Sequence, residues 1–208
     1  MKLKPRPTAS SLPPPLGRRA RRQAETRARI LRAALDLVAR VGLPATTVEQ
    51  ITEAADVGKG TFFNYFPSKE HVMAGFGEIQ LAKLRRALEQ EASGSQATRE
   101  LWWKLMHELA QEPGRSPHLV RGLISANLAS ESVMKLSRRN LARGRELLAQ
   151  LIVRGRERGE LRRDLDPVRT ARVLQQNLLG TLLLWALDPS VPFAPCLDAT
   201  FEFFWLGV

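Results

Sequence analysis

The sequence predicts an all-α protein with a small three-helix N-terminal unit and a larger helical body. Three observations support this. Apolar residues recur at three- and four-residue spacing along nearly the whole chain, the mark of amphipathic helices. The stripes are interrupted by residues that end or begin helices: Gly42, Ser93-Gly94-Ser95, Pro113-Gly114, Gly159 and Pro167. Finally, 208 residues with 44% hydrophobic content allow one sizeable domain or two small ones.

Residues 1–22 read as a flexible, basic arm. The first part is rich in proline and serine with Lys2, Lys4 and Arg6 scattered through it, followed by Arg18, Arg19, Arg21 and Arg22. These arginines extend a helix, reach a DNA groove, or form a solvated tail. A first helix is expected from about Ala24 to Val41, with Ile30, Leu31, Ala34, Leu35, Val38 and Val41 on one stripe and Gly42 beyond its end. Thr47 is placed to cap a short second helix whose inner face carries Val48, Ile51 and Ala55. Asp56, Val57 and Gly58 break the pattern, and Gly58 is expected to supply the unusual backbone angles. A third short helix covers Lys59 to Tyr65 and stops at Pro67. Helix, tight turn and second short helix make a helix-turn-helix, whose second helix enters the DNA major groove.

The remaining chain is helical almost throughout. One helix is expected from Ser68 to about Gln90, and another around Leu101–Leu109. Helices over Leu119–Leu128, Val133 to about Arg158, Pro167–Leu187 and Pro195–Trp205 bring the expected number to nine. The helix from Pro167 is apolar over more than one face, so it must be buried on several sides.

Charge follows this organisation. Residues 1–71 hold thirteen Lys/Arg against six Asp/Glu, and the rest nineteen against fifteen. The excess therefore sits around the helix-turn-helix, as a nucleic-acid footprint does. Cys196 is the single cysteine, so no intrachain disulfide forms and a reducing cytoplasm is expected. Leu178 to Leu187, the longest apolar stretch, is too short to span a bilayer, so no membrane partner is expected.

Residues 47–70 resemble the DNA-binding domain of TetR-family transcriptional repressors. The matching positions are Thr47, Val48, Ile51, Ala55, Val57, Gly60, Thr61, Phe62, Tyr65, Phe66, Ser68, Lys69 and Glu70. Thr52, Asp56, Gly58 and Phe63 depart from the pattern, and the last two remove hydroxyls the family often places near the DNA backbone. The resemblance implies residues 23–70 as the helix-turn-helix DNA-binding domain and residues 71–208 as a helical effector-binding and dimerisation domain. The implied partners are a double-stranded, palindromic DNA operator, a second copy of the chain, and a small apolar or amphipathic effector; no cofactor is implied.

Candidate site residues follow. Thr47, Tyr65 and Lys69 are placed to meet phosphates. On the recognition helix, Lys59 faces guanine, Asn64 adenine, and Thr61 or Phe63 a thymine methyl, while Gly60 lets the backbone approach. Phe62 and Phe66 fill the small core, leaving Phe63 outside. For an effector pocket the candidates are Trp102, Met106, His107, Leu123, Asn127 and Trp185, set against the reading that such residues at helical spacing are core. The family pairs its last two helices across a two-fold axis, which implicates Leu174, Leu178, Leu182, Phe201 and Trp205 in the dimer interface.

Two rival functions fit the sequence less well. An enzyme is disfavoured: Val57-Gly58-Lys59-Gly60-Thr61 lacks the P-loop glycine, Glu53 standing in its place. His71, His107, His118 and Cys196 have no metal-ligand spacing. A charge-driven architectural DNA binder would show steep salt dependence without sequence preference, and has no need of a large apolar body.

Overall fold

A computed structural model describes residues 17–94 and 97–208. Among these lie ten α-helices: α1 (Arg18–Val41), α2 (Val48–Ala54), α3 (Lys59–Tyr65), α4 (Lys69–Ala74), α5 (Phe76–Ala92), α6 (Thr98–Gln111), α7 (Pro117–Leu128), α8 (Glu131–Glu157), α9 (Pro167–Leu187) and α10 (Phe193–Leu206). A 3-10 turn, Pro113–Arg115, joins α6 to α7. The arm expected over residues 1–16, with Lys2, Lys4 and Arg6, lies outside the described residues, as does Ser95.

Two boundaries differ from those expected. Helix α1 begins at Arg18, so Arg18–Arg22 are its first turns and not part of an arm. The single helix expected from Ser68 is divided at Gly75 into α4 and α5, giving ten helices in place of nine. A side chain at Gly75 would put its Cβ 2.9 Å from the Val72 carbonyl oxygen and 3.4 Å from the Phe66 ring. The elbow therefore needs a residue without a Cβ.

The three-helix unit forms for the expected reasons, with one exchange of roles. Ile30, Leu31, Ala34, Leu35 and Val38 are buried, whereas Val41 at the helix end is half exposed. Gly42 takes φ 82° and returns its N–H to Val38. Thr47 and Gln50 form a reciprocal capping box on α2. In the turn, Gly58 is extended at φ −74°, and Asp56 takes the left-handed angle of 51°. Aspartate is one of the few residues with a Cβ that visit that region as single residues. Thr52, where the family pattern has alanine, is buried and donates its hydroxyl to the Glu49 carbonyl.

The small core does not stop at residue 70. Ile30, Val38, Ile51, Phe62 and Phe66 pack with Val72 and Met73 of α4 and with Leu119 and Ala126 of α7. Helix α7 crosses α1 at Gly122, where an added Cβ would lie 2.6 Å from Val38 Cγ1. Polar contacts reinforce the junction. Ser116 Oγ donates to the Ala39 carbonyl at 2.7 Å, and Arg115 pairs with Asp36 at 3.1 Å. On the other side, His71 Nε2 and Ser132 Oγ are 3.2 Å apart, linking α4 to α8.

The body has its own core, built from Leu81, Leu84 and Leu88 of α5, Trp102 and Met106 of α6, Leu148, Leu151 and Ile152 of α8, Leu174 of α9, and Phe201 and Phe204 of α10. Glu91 is buried at the end of α5, where Arg154 and Arg158 bind its two oxygens at 2.7 and 2.6 Å. A buried carboxylate needs such partners. Among the described residues, no helix is long and apolar enough to cross a membrane.

Candidate nucleic-acid interface

The capping box fixes Thr47 at the start of α2, and the turn through Asp56 sets α3 across it. Phe62 points inward and is fully buried, with Phe66 beside it. The opposite face of α3 is therefore open: Lys59, Gly60, Phe63 and Asn64 are exposed, and Thr61 is half-buried. Phe63 is 53% exposed and meets Phe62 edge to face at 5.2 Å. A Cβ added at Gly60 would meet nothing within 4 Å. Tyr65 is half-buried against the small core. Thr47, Phe63 and Lys69 line one shallow cleft with Ser68 and Glu70.

Two of the expected contacts are already engaged. Lys59 pairs with Glu49 of α2 at 2.6 Å. The Lys59 ammonium beside Glu49 holds that carboxyl below its ordinary value, chiefly through the hydrogen bond between them. Both groups are well exposed, so the pair is weak and exchangeable. Lys69 donates from Nζ to the carbonyl oxygens of Leu43 and Thr46, both at 2.8 Å. Its ammonium thus clasps the loop between α1 and α2, a role the motif gives no sign of. Glu49 and the loop carbonyls were missed because their partners are set by the fold, not by spacing.

The expected effector pocket is not brought together. Trp102 and Met106 are buried in the body core, 2% and 1% exposed. Leu123 packs against the N-terminal core. Trp185 belongs to a third cluster with Leu182, Ala186 and Val120, and its ring lies 4.9 Å from that of Phe193, tilted by 51°. His107 faces outward, bonded to the Trp103 carbonyl oxygen at 2.9 Å and to Asp198 at 3.0 Å. Asn127 accepts from the Ser137 hydroxyl at 2.7 Å. Helical spacing alone does not separate a pocket wall from a packed core, and here the core accounts for most of these residues.

The residues expected at the dimer interface divide in the structure. Leu174, Leu182 and Phe201 are buried inside the protomer, and Leu178 and Trp205 pack against its core. Leu174, Leu182 and Phe201 are thus taken up by the protomer's own core, whereas Leu178 and Trp205 keep part of their surface exposed. The exposed apolar stripe on the same helices is a different one, with Leu179, Leu183, Leu184 and Leu187 on α9 and Phe203 and Leu206 on α10. Phe203 is 79% exposed and Leu206 84%. A helix greasy most of the way round shows two stripes, and the sequence does not say which faces inward. Among the described residues no cluster of His, Cys, Asp and Glu is arranged to hold a metal ion.

A capped α2, a sharp turn, and a short α3 with one buried and one open face define a helix-turn-helix DNA-binding regulator on an all-α body. The family model for bacterial regulatory proteins of the tetR family matches residues 30–75. The structure of Thermus thermophilus FadR, a TetR-family transcriptional repressor in complex with lauroyl-CoA, is 30% identical. It covers 86% of this chain and 92% of its own, with a TM-score of 0.64. The transcriptional repressor KstR of Mycobacterium tuberculosis is 27% identical over 168 residues, 78% of this chain and 72% of its own length. Bacillus subtilis FadR, 19% identical with a TM-score of 0.66 over 87% of this chain and 98% of its own, shares the fold. The chain belongs to the TetR family of transcriptional regulators.

Proposed function

We propose that this protein is a homodimeric, effector-responsive repressor that binds a palindromic operator and blocks transcription. The observation that carries the reading is the open face of α3. Lys59, Gly60, Phe63 and Asn64 are exposed on a helix too short and too polar to stay there for its own stability. Asn64 and Lys59 read base edges, while Thr47, Tyr65 and Lys69 position the domain on phosphates. One such head contacts few bases, and two heads on a two-fold axis double the site. The exposed stripe of Leu179, Leu183, Leu184, Leu187, Phe203 and Leu206 supports dimerisation, since apolar surface of this kind marks an interface.

For the effector we propose a long-chain acyl-CoA thioester, on the strength of the lauroyl-CoA bound to the 30%-identical Thermus thermophilus repressor. Trp102 and Met106 fill the body core in the state described here. An acyl chain entering the body moves them, and that displacement separates the operator-binding state from the released one. Such coupling is typically about 1–3 kcal/mol. The proposed site of action is the cytoplasm, and no catalytic step forms part of the reading.

Selection of bound sequences from a random duplex pool tests the first half, with one inverted repeat expected. Recovery of no preferred sequence overturns it in favour of charge-driven binding. Lauroyl-CoA titrated against the protein–operator complex tests the second, with free coenzyme A as control. Release by the thioester alone is expected, and unchanged operator affinity rejects that effector class.

A further inference from the structure

The first turns of α1 carry a charge pattern that neither the small core nor the recognition helix explains. Arg18, Arg19, Arg21 and Arg22 fall within five residues, and Arg29 follows on the same side of the helix as Arg18 and Arg22. No side chain of α1 before Ile30 is buried. Residues 18–25 thus project as about 12 Å of helix at 1.5 Å per residue, before Arg27 meets the domain. Arg21 is paired with Glu25 at 3.0 Å. Among the described residues, Arg18, Arg19, Arg22 and Arg29 have no hydrogen-bond or ion-pair partner.

In the free protein this arrangement works against itself. Arg18 faces Arg21 and Arg22 at three- and four-residue spacing, where like charges repel. The cationic cluster also lies at the positive end of the helix dipole, with no acidic residue in the first turn to offset it. Gly17, the preceding residue, provides no side-chain cap. Neither packing nor local electrostatics favours these four arginines. A dense external anion removes every one of these penalties.

The position of the cluster indicates which anion. Arg27, the next arginine along α1, lies 4.9 Å above the Phe66 ring and binds both oxygens of Glu78, at 2.7 and 3.0 Å. Phe66 is the residue that ends the recognition helix α3. The arginine-bearing turns therefore leave the domain beside the end of the reading head, in the more basic part of the chain.

We propose that Arg18, Arg19 and Arg22 clamp the sugar–phosphate backbone of duplex DNA flanking the bases read by α3, extending the footprint of each protomer beyond its half-site. This rests on the DNA-reading role of α3 and adds a second, sequence-independent contact surface to it. Guanidinium groups suit phosphate because their planar forks donate two parallel bonds.

The test compares the full-length wild-type chain with R18Q/R19Q/R22Q and with a charge-matched control, R85Q/R86Q/R143Q, whose arginines are exposed on α5 and α8. Glutamine keeps good helix propensity, and circular dichroism verifies that each variant is folded. Affinity is measured from 50 to 200 mM salt on the selected site with short and long flanks. Loss of three phosphate contacts per protomer, six for the dimer, lowers the slope of log K against log salt by about 5.4, so the variant's affinity falls roughly 1,800-fold less across that range. The expected result is this flatter slope and loss of the preference for long flanks, with base preference and the control unchanged. Equal slopes and equal flank dependence in wild type and triple variant overturn the proposal. So does a control that loses as much as the triple variant, because net charge and not this cluster would then be responsible. If the wild type prefers no sequence, the repressor reading fails separately, while the slope comparison on random duplex still decides for or against the clamp.

Discussion

Replacing Lys69 by methionine separates its two possible roles, phosphate contact and loop clasp. In the structure Nζ donates to Leu43 O and Thr46 O, each at 2.8 Å. A hydrogen bond from a charged donor contributes about 1.5–3 kcal/mol net. The two acceptors are not equivalent. Leu43 O also accepts from the Thr46 N–H at 3.3 Å, so it keeps a partner after the substitution. Thr46 belongs to a buried residue whose hydroxyl is committed to Gly42 O, so its carbonyl oxygen bears most of the loss. Since Lys69 itself is only half-buried, the lower end applies, about 2 kcal/mol. For a chain of this size that corresponds to a fall in Tm of roughly 4–8 °C. Calorimetry at fixed protomer concentration measures it, because dimer formation makes Tm concentration-dependent. Operator affinity falls as well, uniformly across sequences, since the loop carries the α2 cap Thr47. An unchanged Tm with lost affinity refutes the clasp and leaves Lys69 as a free phosphate contact.

Glu49 competes with DNA for Lys59, so Glu49→Gln is expected to raise operator affinity several-fold, most on sites that offer Lys59 a guanine. Because the Glu49 carboxyl is depressed, its pairing is fully present above the ordinary glutamate value and is lost as pH falls through the lowered one. NMR titration of Glu49 checks the direction, and a carboxyl titrating at or above the ordinary value refutes it. Asp56→Gly relieves the left-handed angle of 51°, a cost of about 1–2 kcal/mol for a residue with a Cβ, partly offset by the greater freedom of glycine when unfolded. A small rise in denaturation midpoint, or none, is expected, and a fall of more than about 1 kcal/mol contradicts the assignment. Leu183→Glu with Phe203→Glu is expected to give a folded monomer in sedimentation. Leu174→Ala, inside the core, is expected to lose about 2–5 kcal/mol of stability while remaining dimeric. Persistence of the dimer in the double variant rejects the exposed stripe as the interface.

How much was legible in the sequence depends on the range of the interactions involved. Thr47 as a cap, Gly42 and Gly159 as helix ends and Pro167 in a first turn were all readable, because each is decided by its own few neighbours. The burial of Phe62 and Phe66 and the exposure of Phe63 were also readable, since a short helix has only one face to bury. The exchange between Gly58 and Asp56 was not, because either residue satisfies the chemistry of a tight turn.

The sequence by itself determined the helical class, the helix-turn-helix and the family, since caps, periodic stripes and a short motif are local codes. Only the tertiary structure decided which stripe of α9 and α10 faces inward, because both stripes are apolar and packing chooses between them. It also decided that Trp102 and Met106 fill the core, that Lys69 clasps a loop 23 to 26 residues away, and that Glu91 is held by two arginines. These partners are far apart along the chain, and no spacing rule encodes a contact that exists only after the helices have packed.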